Sequence, residues 1–202
     1  MEVRTDRVGV LIDQLVDSKN LSSDRLVGLT PHEYAWEPRV DMWSVRRRGE
    51  AVTPNAYGPG EWVLDHDTSI NPFAAGPLTT IAWRLGHLTS GFAGRWEWTF
   101  GGRTIDPKAM VDFSSDPGVA LDGLWAWVDR WAASIESMTD DQLDIPGYGA
   151  YPYGLDPQIP FIGIISRPSA KRVSAMKSES LRSESNTAST RASIISFERT
   201  DW

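Results

Sequence analysis

Within TTIAWRLGHLTSGFAGRWEWTFGG, the stretch from Thr79 to Gly102, the residues Trp83, His87, Gly91, Gly94 and Trp98 are of the types that build a small-molecule site. Indole faces offer apolar stacking area, an imidazole offers one polar or metal-ligating handle, and glycines leave room beside them. On a wheel of about 100° per residue, Trp83, His87, Gly94 and Trp98 gather on one side, with Gly91 close by; Ile81, Leu85, Leu88, Phe92 and Trp96 form a separate apolar stripe. Each internal glycine costs roughly 1 kcal/mol relative to alanine, so Gly86, Gly91 and Gly94 need a compensating role. Two stay open at this level. In one, another helix approaches closely and His87 is a core histidine bonded to a carbonyl. In the other, a ligand sits beside His87 between the two indoles, which makes Trp83, Gly91, Gly94 and Trp98 its contacts.

Two further histidines carry weaker signals. His66 lies between Asp65 and Asp67 in LDHD, a loop that offers donors to a divalent ion, although exposed acidic loops are common. His32 falls at the second position of a short capped turn and is expected to be exposed. The basic run RRRGE, Arg46 to Glu50, reads as a solvated loop, or as a contact for the carboxylates of an anionic ligand. The chain contains no GxSxG, P-loop or dinucleotide-binding glycine pattern.

These residues need elements to position them. Val8, Leu11, Ile12, Leu15 and Val16 recur at helical spacing after Asp6, a candidate N-cap, and predict a first helix that stops by Gly28. Thr30, Pro31 and Glu33 form a capping-box pattern for one helical turn, closed by Pro38. From Arg39 to Pro77 a long connection follows, with strand-like pieces at Met42–Val45 and Glu61–Leu64. The site-bearing helix is capped by Thr79 or Thr80 and stopped at Gly101–Gly102. A further helix starts near Asp116–Pro117 with an apolar face of Val119, Leu121, Leu124, Trp125, Val128, Trp131 and Ile135. PFIGII, from Pro160, opens a last helix that Pro168 interrupts within two turns. Amphipathic helices without a central sheet predict an all-α bundle.

Composition narrows the function classes. The 202 residues contain no cysteine, which removes disulfides, thiolate metal sites and a cysteine nucleophile, and agrees with a cytoplasmic location. No apolar run approaches the ~20 residues of a membrane span. Residues 1–165 carry 13 Lys and Arg against 23 Asp and Glu, a net −10, which argues against nucleic acid as a partner. Residues 166–202 reverse the sign, with 7 against 4, and are Ser-rich. This stretch buries little by composition. Its abrupt onset fits either a natural low-complexity tail or a shift of reading frame near codon 165.

TTIAWRLGHL with RWEWTFG, preceded by HEYAWEP and WSVR, resembles the DinB-like superfamily of four-helix bundles, in the branch related to mycothiol-dependent maleylpyruvate isomerases. The resemblance covers roughly residues 1–165. It implies a bundle with a long crossover between its first two main helices. It also implies a divalent metal, Zn or Ni, held by one histidine of the second helix and two of the last, and transferase or isomerase chemistry on a low-molecular-weight thiol such as mycothiol. His87 matches the helix-two ligand. The last helix should supply the other two, but SRPSAKRVSAMKSESLRSE holds no histidine. The resemblance thus describes an enzyme whose metal site is impaired in this chain. The competing expectation is a non-catalytic bundle that binds a small molecule or forms a homodimer.

Overall fold

The computed structural model describes residues 6–67, 77–149 and 159–163. Its long elements are helices: α1 (Arg7–Leu26), α3 (Ile81–Trp96) and α4 (Pro117–Glu136), with a one-turn helix α2 (Pro31–Tyr34) after α1. A two-stranded antiparallel sheet, β1 (Val45–Arg47) and β2 (Trp62–Leu64), lies in the crossover and pairs Val45 with Leu64, Arg46 with Val63 and Arg47 with Trp62. The fold is therefore all-α in its long elements, as expected. Residues 161–163 are helical. The Ser-rich segment 166–202 and the interruption expected at Pro168 lie outside the described residues.

The helix starts follow their capping chemistry. Asp6 accepts from Gly9 N, Thr30 from Glu33 N, Thr80 from Trp83 N and Asp116 from Val119 N, so each helix opens with an otherwise orphaned donor satisfied. The Thr30–Glu33 box is complete, with Pro31 at the first helical position. After α1 the chain turns at Gly28, whose φ of +71° lies in the left-handed region that glycine enters without strain. The α-helical part of α3 stops at Trp96, and a π-helical turn, Glu97–Gly101, carries the chain on.

Two apolar clusters make the core. One gathers Leu29, Tyr34, Val45, Leu64, Ile81, Ala82, Leu85, Phe113, Leu124 and Val128; the other gathers Val8, Ile12, Trp131, Ile135, Met138, Leu143 and Phe161. Leu15 and Phe92 touch both. α3 packs on α4, α2 and both strands, so it needs apolar residues on more than one side. The α3–α4 seam is sealed by Trp96, whose Nε1 donates to Ser134 Oγ (2.8 Å) and whose ring lies under the Arg130 guanidinium (3.7 Å). Phe161 is fully buried in the second cluster.

The apolar periodicity overreaches in places. Val16 is exposed at the margin of the covered face of α1, and Val119 is exposed because it lies about 140° around α4 from the buried Leu124. The strands also lie slightly displaced from the expected stretches. Trp43 instead makes an isolated bridge to Thr79, tying the crossover to the start of α3.

Candidate functional site

The crossover residues 42–66 fold over the first turns of α3, and a buried aspartate organises them. Asp65 has no solvent exposure. Its Oδ2 accepts from Ser44 N (3.0 Å) and Arg46 Nε (3.0 Å), and its Oδ1 from Val52 N (3.0 Å) and Thr53 Oγ1 (3.2 Å). A buried carboxylate is tolerated only with donors and a countercharge of this kind. Arg46 completes the group by pairing with Glu37 (2.8 Å) and donating to the Met42 carbonyl (2.7 Å). Burial weakens the Arg46 charge, but Glu37 and Asp65 outweigh it and raise its pKa.

This group meets α3 through Trp83. The main-chain carbonyl of Asp65 accepts from Trp83 Nε1 (2.7 Å). One helical turn further on, the His87 imidazole lies flat against the Trp83 indole, with centroids 4.6 Å apart and planes 9° from parallel. Trp43 tilts against the other side of the cluster, 5.8 Å from Trp83 and 6.2 Å from His66. His66 meets Tyr57 edge-on at 5.6 Å, and Tyr57 meets Phe113 at 5.9 Å. The result is a continuous, half-buried aromatic wall from α3 into the crossover, with imidazoles at two points. Burial lowers the His66 pKa, and Lys108 lowers it further against an opposing effect of Asp67.

The expected site residues do not all converge on this wall. Trp83 and His87 do. Trp98 does not: fifteen residues of helix separate it from Trp83, about 22 Å at 1.5 Å per residue. It stacks instead under Arg103 (4.4 Å), whose Nε donates to the Trp98 carbonyl (2.9 Å). A small ligand therefore cannot lie between these two indoles. The shared angle on a helical wheel ignores rise along the axis. Gly91 is half-buried and Gly94 buried, one and two turns past His87. Gly86 is the glycine whose need for close approach is visible. A Cβ there would meet Leu64 Cδ1 at 2.9 Å and Phe113 Cδ1 at 3.3 Å.

Other expectations change as well. The Asp65-His66-Asp67 loop is not a ready ion site, because both Asp65 oxygens are taken by interior donors. The Arg46–Glu50 run is not a free anion contact. Arg46 is partly buried in its ion pairs, Arg48 Nη2 holds the Gly58 and Gly60 carbonyls, and Arg47 pairs with Glu61 over the Trp62 ring. His32 is exposed on α2, as expected. The sequence marks Asp65 only as a donor of the LDHD loop, not as a buried anchor, and does not mark Trp43 at all. The available signal was a charged residue directly after the apolar run Trp62–Leu64, where only a paired aspartate could be buried.

The model of the DinB superfamily matches residues 14–160. The chain belongs to the DinB superfamily. Neither the curated proteins nor the solved structures compared with it gave a match. The resemblance implies that His87 stands at the family's helix-two ligand position. Among the described residues, however, no group of three histidine, aspartate or glutamate side chains gathers as a metal site. Every histidine of the chain lies at or before position 87. The donor set present does not fit a three-histidine metal, and we derive no step through one. Among the described residues no helix is long and apolar enough to cross a membrane.

Proposed function

We propose that this DinB-like protein binds a small molecule on the half-buried wall of Trp43, Trp83 and His87. The observation that carries the reading is the parallel Trp83–His87 stack, which presents aromatic surface with a polar edge and is held from behind by the Asp65 carbonyl. Apolar or planar ligands suit such a wall, because stacking supplies contact area and one imidazole nitrogen supplies orientation. A low-molecular-weight thiol of the mycothiol type is the ligand class that the resemblance implies. In this reading the protein binds it without metal-assisted transfer or isomerisation, since the family's metal needs three histidines and this chain has one at the matching positions. The half-buried Gly91, one turn beyond His87, belongs to the same proposal, and the buried Gly94 is kept in it as a ligand contact only through its place on the same face of α3.

The test is titration of the purified protein with mycothiol, glutathione and planar aromatic acids, following tryptophan fluorescence and the histidine resonances. Saturable quenching that disappears in His87→Ala supports the reading. Transferase or isomerase turnover with stoichiometric Zn or Ni, lost in the same variant, would replace it by the enzymatic one.

A further inference from the structure

We propose that Asp65 is a positioning residue for His87, acting through Trp83, so that the crossover rather than α3 alone sets the plane of the imidazole. The inference deepens the ligand-binding reading above and rests on it for its functional meaning, although its geometry does not.

An isolated helix leaves a tryptophan and the histidine four residues later free to choose among several rotamers. Here two contacts from outside the helix remove that freedom from Trp83. Its Nε1–H is held by the Asp65 carbonyl at 2.7 Å, and its ring is flanked by Trp43 at 5.8 Å. The carbonyl cannot drift, because the side chain of the same residue is anchored by main-chain donors of Ser44 and Val52 and by Arg46 and Thr53. Thr53 Oγ1 adds a second restraint by accepting from His66 N (2.7 Å). With Trp83 fixed, a 9° stack at 4.6 Å fixes the His87 plane. The path is a chain of direct contacts: Arg46 to Asp65, Asp65 to Trp83, Trp83 to His87.

The chemistry of the carboxylate makes a sharp test. Each Asp65 oxygen faces two donors, so the amide of Asp65→Asn must turn an NH2 toward donors whichever way it is oriented. The main-chain carbonyl survives, but its anchorage is lost. Trp83→Phe is the complementary variant: it keeps a benzene ring beside His87 and deletes the pyrrole ring with its N–H. Asp140→Asn serves as a control, weakening the cap that Asp140 provides to Arg7 and Val8 at the start of α1.

The readout is the Cε1–H resonance of His87 in ¹H–¹³C spectra, assigned among the three histidines by His87→Gln. A ring proton over an indole face is shifted upfield, and that shift reports the stack without any ligand. We expect it to collapse toward the free-histidine position in Asp65→Asn and Trp83→Phe, and to persist in Asp140→Asn. An unmoved resonance in folded Asp65→Asn or in Trp83→Phe overturns the proposal, as does an equal loss in the control. If Asp65→Asn does not fold, Trp83→Phe alone decides. Collapse of the stack in a protein that binds none of the tested ligands would leave the positioning role standing and remove the binding reading.

Discussion

Removing the Asp65 carboxylate would leave Arg46 facing Glu37 alone and strip acceptors from the buried Ser44 amide and the part-buried Val52 amide. Loss of one partner from a buried ion pair is far more damaging than loss of a surface one, so Asp65→Ala is expected to destabilise by about 3–5 kcal/mol, read from urea unfolding. Glycines divide by their surroundings. At Gly86 an added methyl meets Leu64 and Phe113, and overpacking of roughly 1–3 kcal/mol outweighs the helix-propensity gain. At Gly91, in the proposed ligand site, alanine should stabilise by up to about 1 kcal/mol while weakening ligand-dependent quenching. Paired thermal melts of Gly86→Ala and Gly91→Ala check both; a clear loss at Gly91 would assign that glycine to helix contact. His66 supplies a pH dependence. Its pKa is lowered on folding by burial and by Lys108, so the folded state prefers the neutral ring. The stabilisation that this preference represents is present above the unfolded value near 6.5 and is lost as pH falls through the lower folded value. Melting temperature should therefore drop between pH 7.5 and 5 by more in the wild type than in His66→Phe, which keeps the ring contacts to Trp43 and Tyr57 without the proton.

At the scale of elements, the helix ends carry much of the specification. Asp116 caps α4 through Val119 N, and Asp116→Ala should cost about 1 kcal/mol in denaturant unfolding. The start of α1 is held more elaborately. Asp140 accepts from Arg7 N and Val8 N, and Arg7 returns hydrogen bonds to the Asp140 carbonyl and the Asp144 carboxylate. The Arg7 and Val8 amides hold the Asp140 carboxyl below its ordinary pKa, and the Arg7 guanidinium does the same for Asp144. Both groups therefore favour the folded state above the ordinary carboxylate range and stop doing so as acid protonates them. These ties were not visible from periodicity, because the partners are more than 130 residues apart. The crossover shows the same limit. Its two strand-like stretches could be picked out by composition, but their antiparallel pairing and the closure of Asp65 over α3 are long-range events.

For the whole molecule, the first expectation concerns metal. Because the resemblance implies a ligand role for His87 alone among the three histidines, purified protein should hold well under one equivalent of Zn or Ni by elemental analysis; a stoichiometric metal lost in His87→Ala would restore the family's chemistry. What the amino-acid sequence determined by itself was local or cumulative: the helix starts at Asp6, Thr30, Thr79 or Thr80, and Asp116, the apolar faces, the resemblance carried by TTIAWRLGHL, and the want of histidines after position 87. Capping and 3.6-residue periodicity act over a few neighbouring residues, so they can be read in one dimension. The tertiary structure decided which residues sharing an angle on α3 also share a place. It drew Trp83 and His87 together with Trp43, and left Trp98 about 22 Å along the axis with Arg103. It also turned Asp65 from an apparent ion-binding loop residue into the buried anchor of that wall. Burial, countercharge and rise along a helix are three-dimensional quantities, and side-chain type alone does not contain them.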